Sequence, residues 1–319
     1  MLFRSGNGQS DLPASAPNAS VSTLTIGTHA LIESGFAMEN LGLVIIDEQL
    51  KFGVAQRETL VRKGRYPHLL VMTATPIPRT LGLTVYGDLD VSAIDELPAG
   101  RGRVRTFVRG PGQLSRVQEF VKEQLASGRQ AYVVLPRVEE ADLRTGTKAV
   151  TQEFARLQGV FAPHRVGLLH GRLPAHEKEK VMTEFRENRV QVLLATSVIE
   201  VGVDVPNATT MLVENAEQFG LAQLHQLRGR IGRGAHESWC ILVGELKTDD
   251  ARERLKVLAT TADGFAIAEA DLRLRGPGDL LGRLQSGAPL LRFGDLARDG
   301  AIIDRARALA ERLAGTWKP

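Results

Sequence analysis

Gln226, Arg230 and Arg233 are the side chains whose types and spacing first suggest chemistry. At about 100° per residue they share one helical stripe, while Leu224, Leu227 and Ile231 fall on the opposite side. One face is apolar and the other offers an amide and two guanidiniums. Two arginines pointing the same way from an anchored helix suit a polyanion, above all a phosphoryl group that gains charge as it is transferred. The same spacing also describes a solvated basic helix face, so the flanking sequence has to decide.

Neighbouring acids supply the second half of such chemistry. The apolar run 43–46 reads as a buried parallel strand that delivers Asp47 and Glu48 to its carboxyl end. One carboxylate there can hold Mg²⁺ through water, and the adjacent one can orient or deprotonate an attacking water. Residues 69–72 form another such run, after which Pro76 and Pro78 stop regular structure just beyond Thr73-Ala74-Thr75. Further on, VQVLLAT (190–196) and TTMLVEN (209–215) read as strands buried on both faces. The loop between them carries Glu200, Gly202 and Asp204 and lies where ligands of parallel sheets bind.

The positioning elements follow from periodicity. SRVQEFVKEQLASGRQ predicts an amphipathic helix with Val117, Phe120, Val121 and Leu125 on one side and Gly128 as its stop. AYVVLPRV and RVGLLHG predict strands, and TKAVTQEFARLQ and HEKEKVMTEFREN predict helices. Strand and helix alternate, which argues for a parallel α/β sheet. His170, at the end of one strand, reads as a packing residue rather than a metal ligand. STLTIGTHALIE predicts a strand ending at Gly27-Thr28-His29, and from Glu245 the pattern turns helical. The last helix sets Ile302, Ala306, Leu309 and Leu313 on one side for packing.

Composition bounds the class. With 319 residues the chain has room for about two domains. Forty Lys+Arg against 37 Asp+Glu leave a charge of +3, too little by itself to indicate nucleic acid. Clustering says more: RGRVRTFVR (101–109), LRGRIGR (227–233) and RLRGPGDLLGR (273–283) are arginine-rich and suit phosphate contacts. The single Cys240 closes no intrachain disulfide, and no apolar run reaches the roughly 18 residues that span a bilayer. These features predict a soluble protein of the cytoplasm.

IEVGVDVPNA followed by FGLAQLHQLRGRIGRG resembles motifs V and VI of superfamily-two helicases, most closely the RecG family and the related transcription-repair coupling translocase. TATPIPRT through IDELPAGR is similar to helicase motif III, and FGVAQRETL after the acids is similar to RecG. Position 50 is Leu where RecG-like sequences read His. The resemblance implies two RecA-like, P-loop-NTPase-type parallel-sheet domains, the first truncated, followed by a C-terminal helical hairpin. Residues 1–20, rich in Ser, Asn, Gly, Pro and Ala, read as disordered; the rest divides into a first domain 21–105, a second 106–245 and a translocation-motif region 246–319. The resemblance also implies ATP and Mg²⁺, with Asp47 toward the metal and Thr73, Thr75, Gly202 and Asp204 toward the nucleotide. Thr28, Glu200, Arg273, Arg275, Arg283 and Gln285 would then face DNA or couple hydrolysis to movement. The implied activity is ATP-dependent unwinding or translocation on branched or duplex DNA in recombination and repair.

No G-x-x-x-x-G-K-[ST] occurs in the sequence, and Gly6-Asn7-Gly8-Gln9 lacks the lysine and the preceding strand. The resemblance covers roughly Thr25 to Leu313 and corresponds to the C-terminal part of a longer protein. Two readings follow: a helicase segment, or a catalytically incompetent DNA-binding remnant or split-motor half whose missing loop comes from a separate chain.

Overall fold

β-Branched and leucine runs set the architecture, because strands this apolar have to be covered on both faces. The computed structural model describes residues 23–33, 40–48, 54–64, 67–73, 92, 94, 96, 100–136, 145–196, 204–275 and 299–316. The chain divides into two compact units, 1–72 and 73–319.

The larger unit is built on six parallel strands: β3 (Val104–Arg109), β4 (Gln130–Leu135), β5 (Val166–Leu169), β6 (Val192–Thr196), β7 (Ala208–Glu214) and β8 (Ser238–Val243). Their order across the sheet is β3-β8-β7-β4-β6-β5. Helices α2 (Leu114–Ala126) and α3 (Thr145–Phe161) cover one face. Helices α4 (Ala175–Arg186), α5 (Leu221–Arg228), α6 (Asp249–Thr260) and α7 (Gly264–Arg275) cover the other. The alternation along β4 shows the division, with Ala131, Val133 and Leu135 in one core and Tyr132 and Val134 in the other. Each fully buried large apolar side chain contributes about 1.5–3 kcal/mol, so this two-sided core dominates the unit's stability.

The predicted strands and helices between Leu114 and Glu214 are all present. Gly128 ends α2 as expected: it adopts φ +82°, and the next amide, of Arg129, bonds back to Gln124 O at 3.1 Å. One strand was hidden in sequence. RGRVRTFVR reads as a basic cluster, yet β3 occupies 104–109 and pairs in parallel with β8, so the strand crossing the expected 105/106 boundary joins the larger sheet. Arg105 is exposed and the other five residues of the strand are half-buried, as an edge strand permits.

The smaller unit contains β1 (Leu43–Ile46), α1 (Val54–Val61) and β2 (His68–Val71), with β1 and β2 paired in parallel. Burial on both faces was expected here and is not found. Val44 and Ile46 are buried, whereas Leu43 and Ile45 on the other face are about half exposed. The strand predicted at 21–29 is also absent among the described residues. Residues 23–27 have no regular structure and His29–Ile32 form a 3-10 turn. Leu31 N bonds to Thr28 O at 3.0 Å, and the Leu31 side chain folds back against Gly27, where a Cβ would stand 2.7 Å away.

Helix α8 (Gly300–Thr316) forms as predicted. Its apolar stripe does not pack as expected, since Ile302, Leu309 and Leu313 remain 63, 47 and 58% exposed. Periodicity identifies an apolar side but not a surface to receive it. The tail 1–20 lies outside the described residues.

A two-stranded pair is marginal on its own, whereas a six-stranded sheet covered twice is not. Amides of Ile45 and Leu70 are therefore expected to exchange with solvent on the order of 10³-fold faster than those of Val133 and Leu212. Equal protection, measured by hydrogen exchange with NMR or mass spectrometry, would contradict this account of the smaller unit.

Candidate active site

The arginine-bearing segment begins as a helix and then departs from one. Gly220 N bonds to Gln223 Oε1 at 3.0 Å to open α5, and Leu221, Leu224 and Leu227 are buried beneath it. The helix ends at Arg228. Gly229 caps it with its amide on His225 O at 3.0 Å, and Arg230 N bonds to Leu227 O at 2.9 Å in the turn that follows. Gly232 then takes φ +72°, a conformation open to glycine and costly for other residues. The expected single helical stripe is thus broken: Gln226 lies exposed on α5, while Arg230 and Arg233 project from the next loop. Ile231 remains an apolar anchor at 1% exposure.

Close backbone packing fixes that loop. Gly102 N donates to Gly234 O at 2.7 Å. A Cβ at Gly232 would stand 2.4 Å from Val104 Cγ2, and one at Gly234 would stand 2.8 Å from Pro206 O. Gly102 is equally confined, with His236 O 2.0 Å from its Cβ position. The loop is therefore wedged between the start of β3 and Pro206, and glycine is needed at each contact.

The two arginines are presented differently. Arg233 Nε donates to Gly229 O at 3.1 Å, and its terminal nitrogen lies 3.9 Å from Asp204 Oδ1, with 27% of the side chain exposed. Arg230 is half-buried, and its guanidinium has no hydrogen-bond or ion-pair partner among the described residues. Both charges act on Tyr132, whose phenol burial pushes up to about 12 while Arg233 and Arg230 pull the other way. Asp204, Arg230 and Arg233 thus form one electrostatic group. Glu200 and Gly202 lie outside the described residues.

The acids belong to the smaller unit. Asp47 and Glu48 follow the carboxyl end of β1, where Asp47 is exposed and its Oδ1 accepts the Glu48 amide at 2.9 Å. Glu48 sits at φ +53°, which turns the chain sharply at that point. Thr73 is half-buried just past β2, and Thr28 is exposed before the 3-10 turn. Arg273 pairs with Glu253 at 2.9 Å across α6 and α7. Thr75, Leu50, Arg283, Gln285 and the Arg275 side chain lie outside the described residues.

Two further arginines tie α5 and the segment before it to α6. Arg228 is only 7% exposed. Its guanidinium donates to Leu258 O and Thr261 O, both at 2.8 Å, and contacts His225 Nδ1 at 2.9 Å. Arg254 reaches back from α6 to Phe219 O and Glu217 O at 3.4 and 3.3 Å. Sequence reasoning passed over Arg228 because attention fell on the polar stripe; the same helical wheel places it beside Leu224, on the apolar side. Burial pushes His225 down to about 4, and the Arg228 charge adds to the effect.

These contacts separate an arginine that holds the fold, Arg228, from Arg230, whose guanidinium does not. Arg228→Met leaves carbonyls unpaired and should lower stability by about 3 kcal/mol or more, while Arg230→Met should change it by about 1 kcal/mol at most. Denaturant unfolding measures both, and equal losses would contradict the division. His225 adds a pH signature. Because its folded pKa lies below the usual 6.5, its stabilising contribution is full above that pH and is lost as pH falls toward 4. Thermal melts of His225→Asn should show a shallower decline across that window; an unchanged slope would count against it.

Residues 112–235 match the helicase conserved C-terminal domain, and 261–318 match ATP-dependent DNA helicase RecG, domain 3, C-terminal. ATP-dependent DNA helicase RecG of Synechocystis is 52% identical over 291 residues, covering 91% of this chain and 35% of its own length. The Bacillus subtilis RecG is 47% identical over 299 residues, covering 92% of this chain and 44% of its own. A solved structure of RecG bound to a three-way DNA junction aligns with TM-score 0.65 and 45% identity, over 88% of this chain and 36% of that one. A DNA-bound DUF1998 helicase MrfA, at 21% identity and TM-score 0.51 over 68% of this chain and 32% of its own, shares the fold alone. The chain spans between about a third and a half of the length of the relatives it matches. Its parallel sheet, its glycine-seated arginine loop and these similarities together mean that the chain belongs to the RecG family of helicases and matches its C-terminal portion.

Proposed function

We propose that this chain supplies the C-terminal half of a RecG-type, ATP-dependent helicase or translocase that works on branched DNA in recombination and repair in the cytoplasm. The observation that carries this reading is the glycine-seated loop presenting Arg230 and Arg233 directly after Arg228, whose guanidinium bonds the end of α6. Guanidiniums held in place beforehand stabilise charge developing on a transferred phosphoryl group with little reorganisation. Arg228 bonds the end of α6, so any shift of the loop on meeting phosphate would be passed to the helical pair.

The residues present fit one end of a nucleoside triphosphate. Arg230 and the outer nitrogens of Arg233 have donors to offer a γ-phosphate, and Gln226 is exposed one turn before them. Asp47 would hold Mg²⁺ through water, and Glu48 would orient or deprotonate the attacking water. Bound Mg²⁺ would neutralise phosphate charge. Thr73, Thr75, Gly202 and Asp204 are assigned to the nucleotide. Thr28, Glu200, Arg273, Arg275, Arg283 and Gln285 are assigned to DNA or to coupling. The working division is 21–105, 106–245 and 246–319.

One observation favours a second reading. The sequence lacks the G-x-x-x-x-G-K-[ST] loop, whose amides and lysine supply much of the grip on a triphosphate. Charge-assisted hydrogen bonds are worth roughly 1.5–3 kcal/mol each, so losing several weakens ATP binding by orders of magnitude. On that reading the 319 residues are a DNA-binding remnant, or a split-motor half completed by a separate chain.

Hydrolysis of ATP with and without a three-way DNA junction tests both. The purified chain alone is expected to show no DNA-stimulated turnover. Adding the part of the Synechocystis relative outside the matched segment should restore it, and Glu48→Gln or Arg230→Ala should abolish it again. Robust turnover by the chain alone would overturn the second reading, and no turnover after supplementation would overturn the first.

A further inference from the structure

The strand β3 accounts for only part of the basic cluster RGRVRTFVR: it takes up 104–109 and leaves Arg101 and Arg103 ahead of it. Gly100 turns the chain there at φ +82°. Beyond the turn, Gly102 is confined against the arginine loop, and Arg103 O accepts the Ser238 amide at 2.9 Å as the ladder with β8 begins. The backbone around Arg101 is therefore placed by its neighbours on the C-terminal side. Its side chain is exposed.

That side chain reaches across 128 residues of sequence to the loop. Arg101 Nη2 donates to Gly229 O at 3.5 Å, and the same carbonyl accepts Arg233 Nε at 3.1 Å. Two guanidiniums thus converge on one neutral acceptor, and Gly229 is joined by its peptide bond to Arg230. The other arginines of the cluster's strand are engaged elsewhere: Arg105 pairs with Glu237, and Arg109 donates to Val108 O at 2.9 Å. Asp204 lies 3.9 Å from Arg233 and forms no ion pair with Arg101 or Arg230 among the described residues. Cations gathered in this way disfavour one another until an anion joins them. A guanidinium has five N–H donors, and the remaining ones of Arg101 have no partner among the described residues.

We propose that Arg101 is a third phosphate-contacting cation of this site, closing with Arg230 and Arg233 on the terminal phosphates of a nucleoside triphosphate. This assignment rests on the functional reading above and adds to it a residue from outside the helix and loop that carry the other two. The planar fork of arginine suits phosphate oxygens, and its contact with Gly229 O holds Arg101 near the place where they would bind.

The test titrates the intact chain with inorganic tripolyphosphate at low ionic strength and follows the arginine Nε–Hε resonances by NMR. The Arg101 resonance should move together with those of Arg230 and Arg233. Arg101→Ala should weaken binding about tenfold, as expected for loss of one charge-assisted contact. Arg101→Lys keeps the charge without the fork and should recover part of that loss. Arg189→Ala removes an exposed cation paired with Glu187 and should leave affinity unchanged. Amide exchange at Gly102 should be the same in Arg101→Ala as in the parent chain, because the bond from Gly102 to Gly234 O does not involve the side chain. Faster exchange there would make Arg101 a brace rather than a ligand and overturn the proposal, as would undiminished affinity in Arg101→Ala. If Arg230→Ala and Arg233→Ala weaken binding and Arg101→Ala does not, the role of Arg101 falls and that of the loop stands. If none of the three weakens binding, or the parent chain binds no tripolyphosphate, both fall.

Discussion

A buried guanidinium imposes the constraint on which the larger unit depends. Arg228 is buried at 7% exposure, where an unpaired charge would cost several kcal/mol. Two carbonyls at the end of α6 and a neutral imidazole meet it at 2.8–2.9 Å. That arrangement fixes more than one residue. His225 has to stay unprotonated to accept from Arg228, α6 has to end where its carbonyls converge, and α5 has to stop so that the following loop can turn away. Helix, loop and helical pair are therefore one packed object, rather than a site placed on a scaffold.

The chemistry expected of the arginine loop follows from that rigidity. Arg230 and Arg233 are not equivalent: Arg233 is partly engaged by Gly229 and lies near Asp204, and the guanidinium of Arg230 is without a partner among the described residues. Their backbone is held by contacts that leave no room for a side chain at 102, 232 or 234. A loop placed in this way loses little conformational entropy when an anion arrives, which is what electrostatic preorganisation requires. The same packing explains why the segment is so rich in glycine, since each glycine meets a different neighbour.

Much of this was legible in the sequence, and the failures have physical causes. The strands of the larger unit showed themselves because β4, β6 and β7 are buried on both faces and so are continuously apolar. β3 was hidden because an edge strand tolerates arginine, here Arg105 and Arg109. The helical wheel correctly assigned Leu224, Leu227 and Ile231 to the core, but it assumed one helix through 233. Local propensity gave way at Gly232 and Gly234 to the contacts with β3 and Pro206, which no local pattern reports. Arg228 shared its side of the wheel with leucines; the signal was present, but a buried arginine is rare enough to be passed over. In the smaller unit the apolar runs predicted strands correctly, yet burial depends on partners that a run of residues does not specify.

The central claim is that the arginine loop is seated before any ligand binds, by close contact of glycine backbones. Amide exchange at Gly102, which donates to Gly234 O, tests it most directly. In the unmodified, ligand-free chain this amide should be protected, and Gly232→Ala should accelerate its exchange about tenfold or more while leaving Val133 unchanged. Exchange of Gly102 at the rate of an open amide in the unmodified chain, or indifference to Gly232→Ala, would contradict the claim.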